Sequence, residues 1–363
     1  MPLTLNDRID SLQMLDHTSA AYPQSRGYIT GHLYPVIPLS DYEKCAEEIL
    51  NRRKFTIFTR VVTAYPAPNG YYFTNLGKLF VTVLLNLIHN PYIQRRMPNM
   101  HLHPQVDKLA QIMTQRNLAL CPLLNMEQFQ YYAEELIADL KVQCKTRAFT
   151  QALENWNNRY TRRNTAYDNN MEFVLNTAPM FEVHSLLVSR KRPNGRDIEF
   201  GDYGFNDIDI AELLEQNARP IIQDVWRQRY ISAKMPQSGV ITIASKREAD
   251  IFGTESLRLF FFVKKDYSDW LPFEETAFYN AIAPHLKEDS VDSVSLGDLP
   301  TINAAILPLQ HGQEFNFYDA NQKGIGKRLD TLKAHILGTE YWVRYGDVRP
   351  SFKVERGSTE YNR

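Results

Sequence analysis

Apolar residues fill both side-chain alternations of Leu257–Val263 (LRLFFFV), where Arg258 is the one polar position. A strand wetted on one side alternates apolar with polar, so this segment predicts a strand covered on both faces. Its seven residues, set between Gly253 and Lys264-Lys265-Asp266, suit a strand better than a buried helix. Gly239–Ser245 (GVITIAS) has the same character. Together the two segments predict the centre of a sheet around which the second half of the chain is built.

The first half has helical periodicity instead. Thr4–Leu15 places Leu5, Ile9 and Leu12 on one face, and Tyr22–Pro38 reads as an ordered loop. Ser40 and Glu43 fit a capping box for a helix that runs to about Arg52. Phe55–Tyr65 predicts a strand, with Pro66–Gly70 as the turn and Tyr71–Thr74 as its hairpin partner. Leu76–His89 predicts a buried helix stopped by Asn90-Pro91, and Pro104 opens another to about Asn117. From Asn125 to about Arg163 apolar residues recur every three or four positions, predicting one helix of roughly 50–58 Å. The polar stretch Arg159–Asn170 then marks a domain boundary.

In the second half, Phe181–Ser189 and Asp197–Tyr203 predict a hairpin across Asn194-Gly195. A helix starting at Asp207 or Asp209 must be kinked or split by Pro220. Pro272–Leu286 predicts a helix, Val291–Pro300 a loop, Ile302–Leu307 an apolar run and Phe315–Tyr318 a short extended piece. Gly326–Leu337 predicts a helix ended by Gly338, and Tyr341–Tyr345 a last strand. The sum is an α+β fold. Residues 1–165 form a basic, mostly helical N-terminal domain with a short hairpin, ending in the long helix. Residues 166–345 form a C-terminal domain with a mixed or antiparallel sheet and packed helices, and 346–363 a mobile tail.

Composition sharpens this picture in two places. The 363 residues are enough for two cores. Three widely spaced cysteines, Cys45, Cys121 and Cys144, form no CxxC, which predicts reduced thiols and a cytoplasmic location. The N-terminus has no basic and apolar leader pattern, and the longest apolar run, Leu79–Ile88, is about half the ~20 residues of a membrane span. No membrane partner is expected.

Net charge is −1, but it is divided unevenly. Residues 1–165 hold 18 Lys/Arg against 13 Asp/Glu, a net of +5, and residues 166–363 hold 23 against 29, a net of −6. From Ile49 to Val106 there is no acid at all. That span carries Arg52, Arg53, Lys54, Arg60, Lys78, Arg95 and Arg96 among Phe55, Phe58, Tyr65, Tyr71, Tyr72, Phe73 and Tyr92. Cations neutralise phosphates and aromatic faces stack on unpaired bases, so the pattern predicts contact with RNA or single-stranded DNA. Arg159, Arg162, Arg163 and Arg190-Lys191-Arg192 extend the basic set. The competing reading is that the aromatics are core and the cations meet acids of the second domain, or of another chain in an assembly.

Two further constellations carry weaker chemistry. Gly324 and Gly326 with Lys327 and Arg328 at a helix start would suit an anion, but the spacing is not that of a P-loop, and a plain glycine turn is the simpler reading. His101 and His103 flank Leu102, and two such histidines can ligate a metal from one side of an extended segment. Their spacing resembles the His-hydrophobe-His motif of rolling-circle replication nucleases, a resemblance that would make Tyr131 or Tyr132 the nucleophile. The sequence departs from that pattern. The histidines lie between Pro98 and Pro104 rather than inside an apolar strand, and no lysine follows either tyrosine by three or four residues. GxSxG, HExxH and Cys-His clusters are absent. The expectation is therefore a non-catalytic binding protein with no cofactor.

Overall fold

A computed structural model describes residues 39–52, 58–61, 70–87, 100–116, 126–190, 207–230, 239–249, 255–265, 272–287, 292–297, 316–345 and 352–356. Several expected elements lie outside the described residues: Thr4–Leu15, Tyr22–Pro38, Asp197–Tyr203 and Ile302–Leu307. So does the side chain of Ser40.

In chain order the elements are α1 (Leu39–Asn51), β1 (Phe58–Val61), β2 (Gly70–Phe73), α2 (Asn75–Leu87), β3 (Met100–Leu102), α3 (Pro104–Gln115), α4 (Met126–Gln143) and α5 (Arg147–Thr177). There follow β4 (Met180–Arg190), α6 (Asp207–Tyr230), β5 (Val240–Ala249), β6 (Glu255–Lys264), α7 (Ala277–Ile282), β7 (Asp292–Gly297), β8 (Phe317–Asp319) and α8 (Ile325–Lys333). The last are α9 (Thr339–Trp342), β9 (Val343–Tyr345) and β10 (Phe352–Arg356). The fold is α+β, with antiparallel pairing throughout its main sheet. Among the described residues two compact units result, one running from α1 to Thr161 and taking in Thr339–Arg344, the other holding Arg162–Gly338 and β10. The division at Thr161/Arg162 falls within α5.

The first unit is built from amphipathic helices. α1 buries Tyr42, Cys45, Ala46 and Ile49, α3 buries Val106, Leu109, Ala110 and Met113, and α4 buries Phe129, Ala133, Leu136 and Leu140. Thr74 starts α2 by accepting a hydrogen bond from the Gly77 amide at 2.9 Å. β1 and β2 form the expected hairpin, Phe58 opposite Phe73 and Arg60 opposite Tyr71.

The single helix expected over Asn125–Arg163 is instead two. The chain breaks over Cys144–Thr146, where the Thr146 hydroxyl accepts from the Phe149 amide at 3.3 Å and opens α5. The break rephases the apolar stripe: Ala148 and Ala152 are exposed, and burial resumes at Phe149, Trp156 and Tyr160. α5 then runs on through Arg159–Asn170 to Thr177. That polar stretch is helix with one wetted side, and the division between the two compact units falls inside it.

The second unit is organised around β6, as the double-sided apolar pattern predicts. The sheet order is β10-β5-β6-β4-β7, with β8 on the other end of β4, and Leu257–Val263 is buried throughout. Leu186 and Val188 of β4 and Leu257, Leu259, Phe261 and Val263 of β6 pack on Leu214, Ile221, Val225 and Trp226 of α6 and Phe278 and Ile282 of α7. On the opposite face Phe181 stacks on Tyr318 at 5.2 Å and Phe260 meets the edge of His335 at 5.9 Å. Arg258 is buried there too and donates to the Ser185 hydroxyl at 3.2 Å.

Several local expectations are corrected or narrowed. The described partners of β4 are β6, β7 and β8, all remote in sequence, rather than a following hairpin strand. Pro220 does not split α6. It is exposed, as is Gln216, whose carbonyl loses its helical donor at a point where water can replace it. The helix expected over Pro272–Leu286 shortens to α7, started by the Thr276 cap and flanked by two 3-10 turns. Asp292–Gly297, expected as loop, is edge strand β7, tied to β4 by the 2.7 Å hydrogen bond between the Ser293 and Ser189 hydroxyls. Phe352–Arg356, expected in a mobile tail, is edge strand β10 on β5, and Arg356 packs over Phe173 and donates to the Asn169 carbonyl. Near the C-terminus Gly338 closes a buried π-turn (Ala334–Gly338) that leads into α9 instead of ending the helix, so only Val343–Tyr345 of the expected last strand is extended.

Candidate functional site

α5 has two unlike sides. Its inward side repeats at Phe149, Trp156, Tyr160, Asn164, Tyr167, Met171 and Val174, all buried. The steps of three and four residues follow the 3.6-residue turn. Its outward side carries Gln151, Asn155, Asn158, Arg159, Arg162 and Asn169, all exposed. Arg159 and Arg162 lie three residues apart, so their side chains are neighbours on the helix surface. Between Glu154 and Asp168 the helix has no carboxylate, and Asp168 is already held by Lys333 at 2.7 Å. Arg163, the third arginine expected in this set, is half-buried.

Arg52 is exposed at the end of α1 and pairs with Glu48 at 2.7 Å. Its carbonyl accepts a hydrogen bond from Lys141 at 2.6 Å, which brings the end of α1 beside the end of α4. Lys145 and Arg147 follow at the α4–α5 break, both exposed. Sequence reasoning missed these three cations because only the helix break and the packing of α4 on α1 gather them. Lys141, in the last turn of α4, also complements the backbone dipole. Arg53, Lys54, Arg95 and Arg96 lie outside the described residues, and so does the side chain of Arg60. The aromatic side chains of residues 55–73 and Tyr92 lie outside the described residues as well.

No protein-family model, no curated protein and no solved structure matches this chain. The reading of the site therefore rests on its own chemistry.

The glycine turn does not assemble into one cradle. Gly324 adopts a left-handed conformation (φ 88°) that starts α8. Arg328 turns inward over the Tyr318 ring at 4.9 Å and donates to Gln322, while Lys327 stays in solvent. His103 is buried, stacked on Tyr341 at 4.9 Å, with its Nε2 3.8 Å from Glu43. His101 is half-exposed on β3. Among the described residues no group of three or more His, Cys, Asp or Glu could hold a metal ion. Tyr131 donates to Glu135 at 2.7 Å, and this hydrogen bond holds its phenol above the ordinary range, the opposite of what a nucleophile needs.

A second polar cluster, missed from sequence, sits on β4. Glu182 accepts from Lys265 at 2.9 Å and bonds His184 Nε2 at 3.1 Å, and Asn316 meets His184 Nδ1 at 3.3 Å. The imidazole lies against Phe273 at 4.7 Å and Phe278 at 5.0 Å. Burial would raise the Glu182 pKa, but the hydrogen bonds from His184 and Lys265 outweigh it and hold the carboxyl below its ordinary value. With both ring nitrogens engaged, His184 has no nitrogen to offer a substrate. The cluster clamps β4 to its neighbours.

Proposed function

We propose that the protein is a non-catalytic nucleic-acid-binding protein that holds phosphates with the outward side of α5 and the neighbouring cations Arg147, Lys145, Lys141 and Arg52. The observation that carries the reading is the pair Arg159 and Arg162, exposed on a length of helix without carboxylates. Guanidinium groups presented this way neutralise phosphates and release counterions, whatever the sequence bound. Free, buried Cys45 and free Cys144 fit a reducing, cytoplasmic setting. No described helix is long and apolar enough to cross a membrane.

The test is a titration with mixed-sequence nucleic acids across salt concentrations of about 50–200 mM. Affinity should fall steeply as salt rises, and Arg159→Ala and Arg162→Ala should each lower the slope of log affinity against log salt by about 1. Absent or salt-indifferent binding refutes the reading. A protein partner is the second reading, supported by the +5 and −6 halves of the sequence. It requires association that weakens with salt, and a monomer by light scattering at every salt concentration, with no partner recovered from lysate, rejects it.

A further inference from the structure

We infer that the ligand of the α5 surface is a B-form DNA duplex, entered through its major groove, an inference that rests on the nucleic-acid reading above. The outward stripe Gln151, Asn155, Asn158, Arg162 and Asn169, with Arg159 at its side, is exposed along about 27 Å of helix. It offers amide and guanidinium groups, with Glu154 beside Gln151 and Asn158, and no aromatic ring before Phe173, which Arg356 covers. The rings in this part of α5, Trp156, Tyr160 and Tyr167, all belong to the buried side. A surface without rings cannot stack unpaired bases, which is how single strands are held. Carboxamides are the side chains that pair with both adenine N6 and N7, and guanidinium pairs with guanine O6 and N7, at edges presented in the major groove.

Groove shape selects the type of duplex. A helix about 10–12 Å across enters the roughly 12 Å major groove of B-DNA, whereas the A-form groove of RNA is too narrow and deep for side chains to read. Helix propensity supports the same conclusion. Asn155, Asn157, Asn158 and Asn169 are poor helix formers, and their positions on the wetted side give them no packing role. A merely solvated face would be better served by Lys, Glu or Ala.

The experiment measures binding of the full chain to a mixed-sequence DNA duplex, to one of its strands alone, and to the RNA duplex of the same sequence. Selection from a randomised duplex pool follows. The DNA duplex should bind about tenfold or more tightly than either competitor. The pool should yield a preferred sequence that Asn155→Ala/Asn158→Ala changes without altering the salt slope. These exposed substitutions raise helix propensity, so the variant folds. A single strand or RNA duplex that binds as well overturns the inference while leaving the nucleic-acid reading in place. Duplex binding with no sequence preference, or with one the variant leaves unchanged, overturns the groove assignment. If no nucleic acid binds at any salt, the underlying reading fails instead.

Discussion

Replacing Glu182 with glutamine removes the charge at the centre of the clamp on β4 and leaves its shape. The carboxylate is 5 % exposed and holds Lys265 at 2.9 Å and His184 at 3.1 Å. Glu182→Gln leaves the Lys265 ammonium, itself about a tenth exposed, without its carboxylate. Breaking a buried pair from one side costs about 3–5 kcal/mol, and the residual access of Lys265 to water places this one near about 3 kcal/mol. Because the folded-state pKa of Glu182 lies below its ordinary value of 4.5, its contribution is complete at neutral pH. It fades as pH falls from 4.5 through the folded-state value. Amide hydrogen exchange in β6 reads the opening of the sheet unit separately from that of the helical unit. The variant should lose about 3 kcal/mol of protection at neutral pH, and the gap from wild type should narrow as pH falls below 4.5. Glu182→Gln/Lys265→Met should recover about 1 kcal/mol or more, since the ammonium that had faced the Glu182 carboxylate is then gone. A loss within about 0.5 kcal/mol at neutral pH, or a gap that does not change with pH, refutes the argument.

Two further outcomes are expected. Tyr341→Phe removes the hydroxyl that donates to buried Glu43 and should cost about 2 kcal/mol, measured by exchange in α1 and α3; protection unchanged within about 0.5 kcal/mol refutes it. Burial, reinforced by Asp41 and Glu48, pushes the Cys45 thiol up to about 12, and burial only partly offset by Lys108 raises Cys144 to about 11. Both should alkylate far more slowly in the folded protein than in a denatured control near neutral pH, resolved by peptide mass spectrometry; labelling of Cys45 at the denatured rate contradicts this.

The parts of the fold that announce themselves locally were legible in the sequence. Leu257–Val263 has apolar residues on both alternations because it is the middle strand of a sheet covered on both sides. The pairing of β1 with β2 was expected from the turn residues Pro66–Gly70 in the sequence, and the two strands pair antiparallel. The edge strands β7 and β10 were not legible, because an edge strand needs few apolar residues and its existence depends on β4 or β5 offering a ladder. The continuation of α5 past Arg163 was not legible because Asn and Thr lower helix propensity, while the buried positions Tyr160, Asn164 and Tyr167 that hold the helix include a polar residue. Arg159 and Arg162 were named from composition alone, but that they share one wetted side without acids required the helix. Lys141 emerged only from its hydrogen bond to Arg52, 89 positions away in the chain.

Residues 339–344 complete the interior of the helical unit, where Trp342 is fully enclosed, Trp156 donates to the Tyr341 carbonyl, and the Trp342 carbonyl receives the His103 amide. A nascent chain emerging from the ribosome can therefore wind α1 to α4 early but cannot seal them until nearly 180 more residues have been translated past Arg162. A fragment stopping at residue 165, the natural place to truncate by composition, would leave the slot for Tyr341 and Trp342 open and sticky. Expression of this half alone calls for grafting the 339–344 hexapeptide back through a linker.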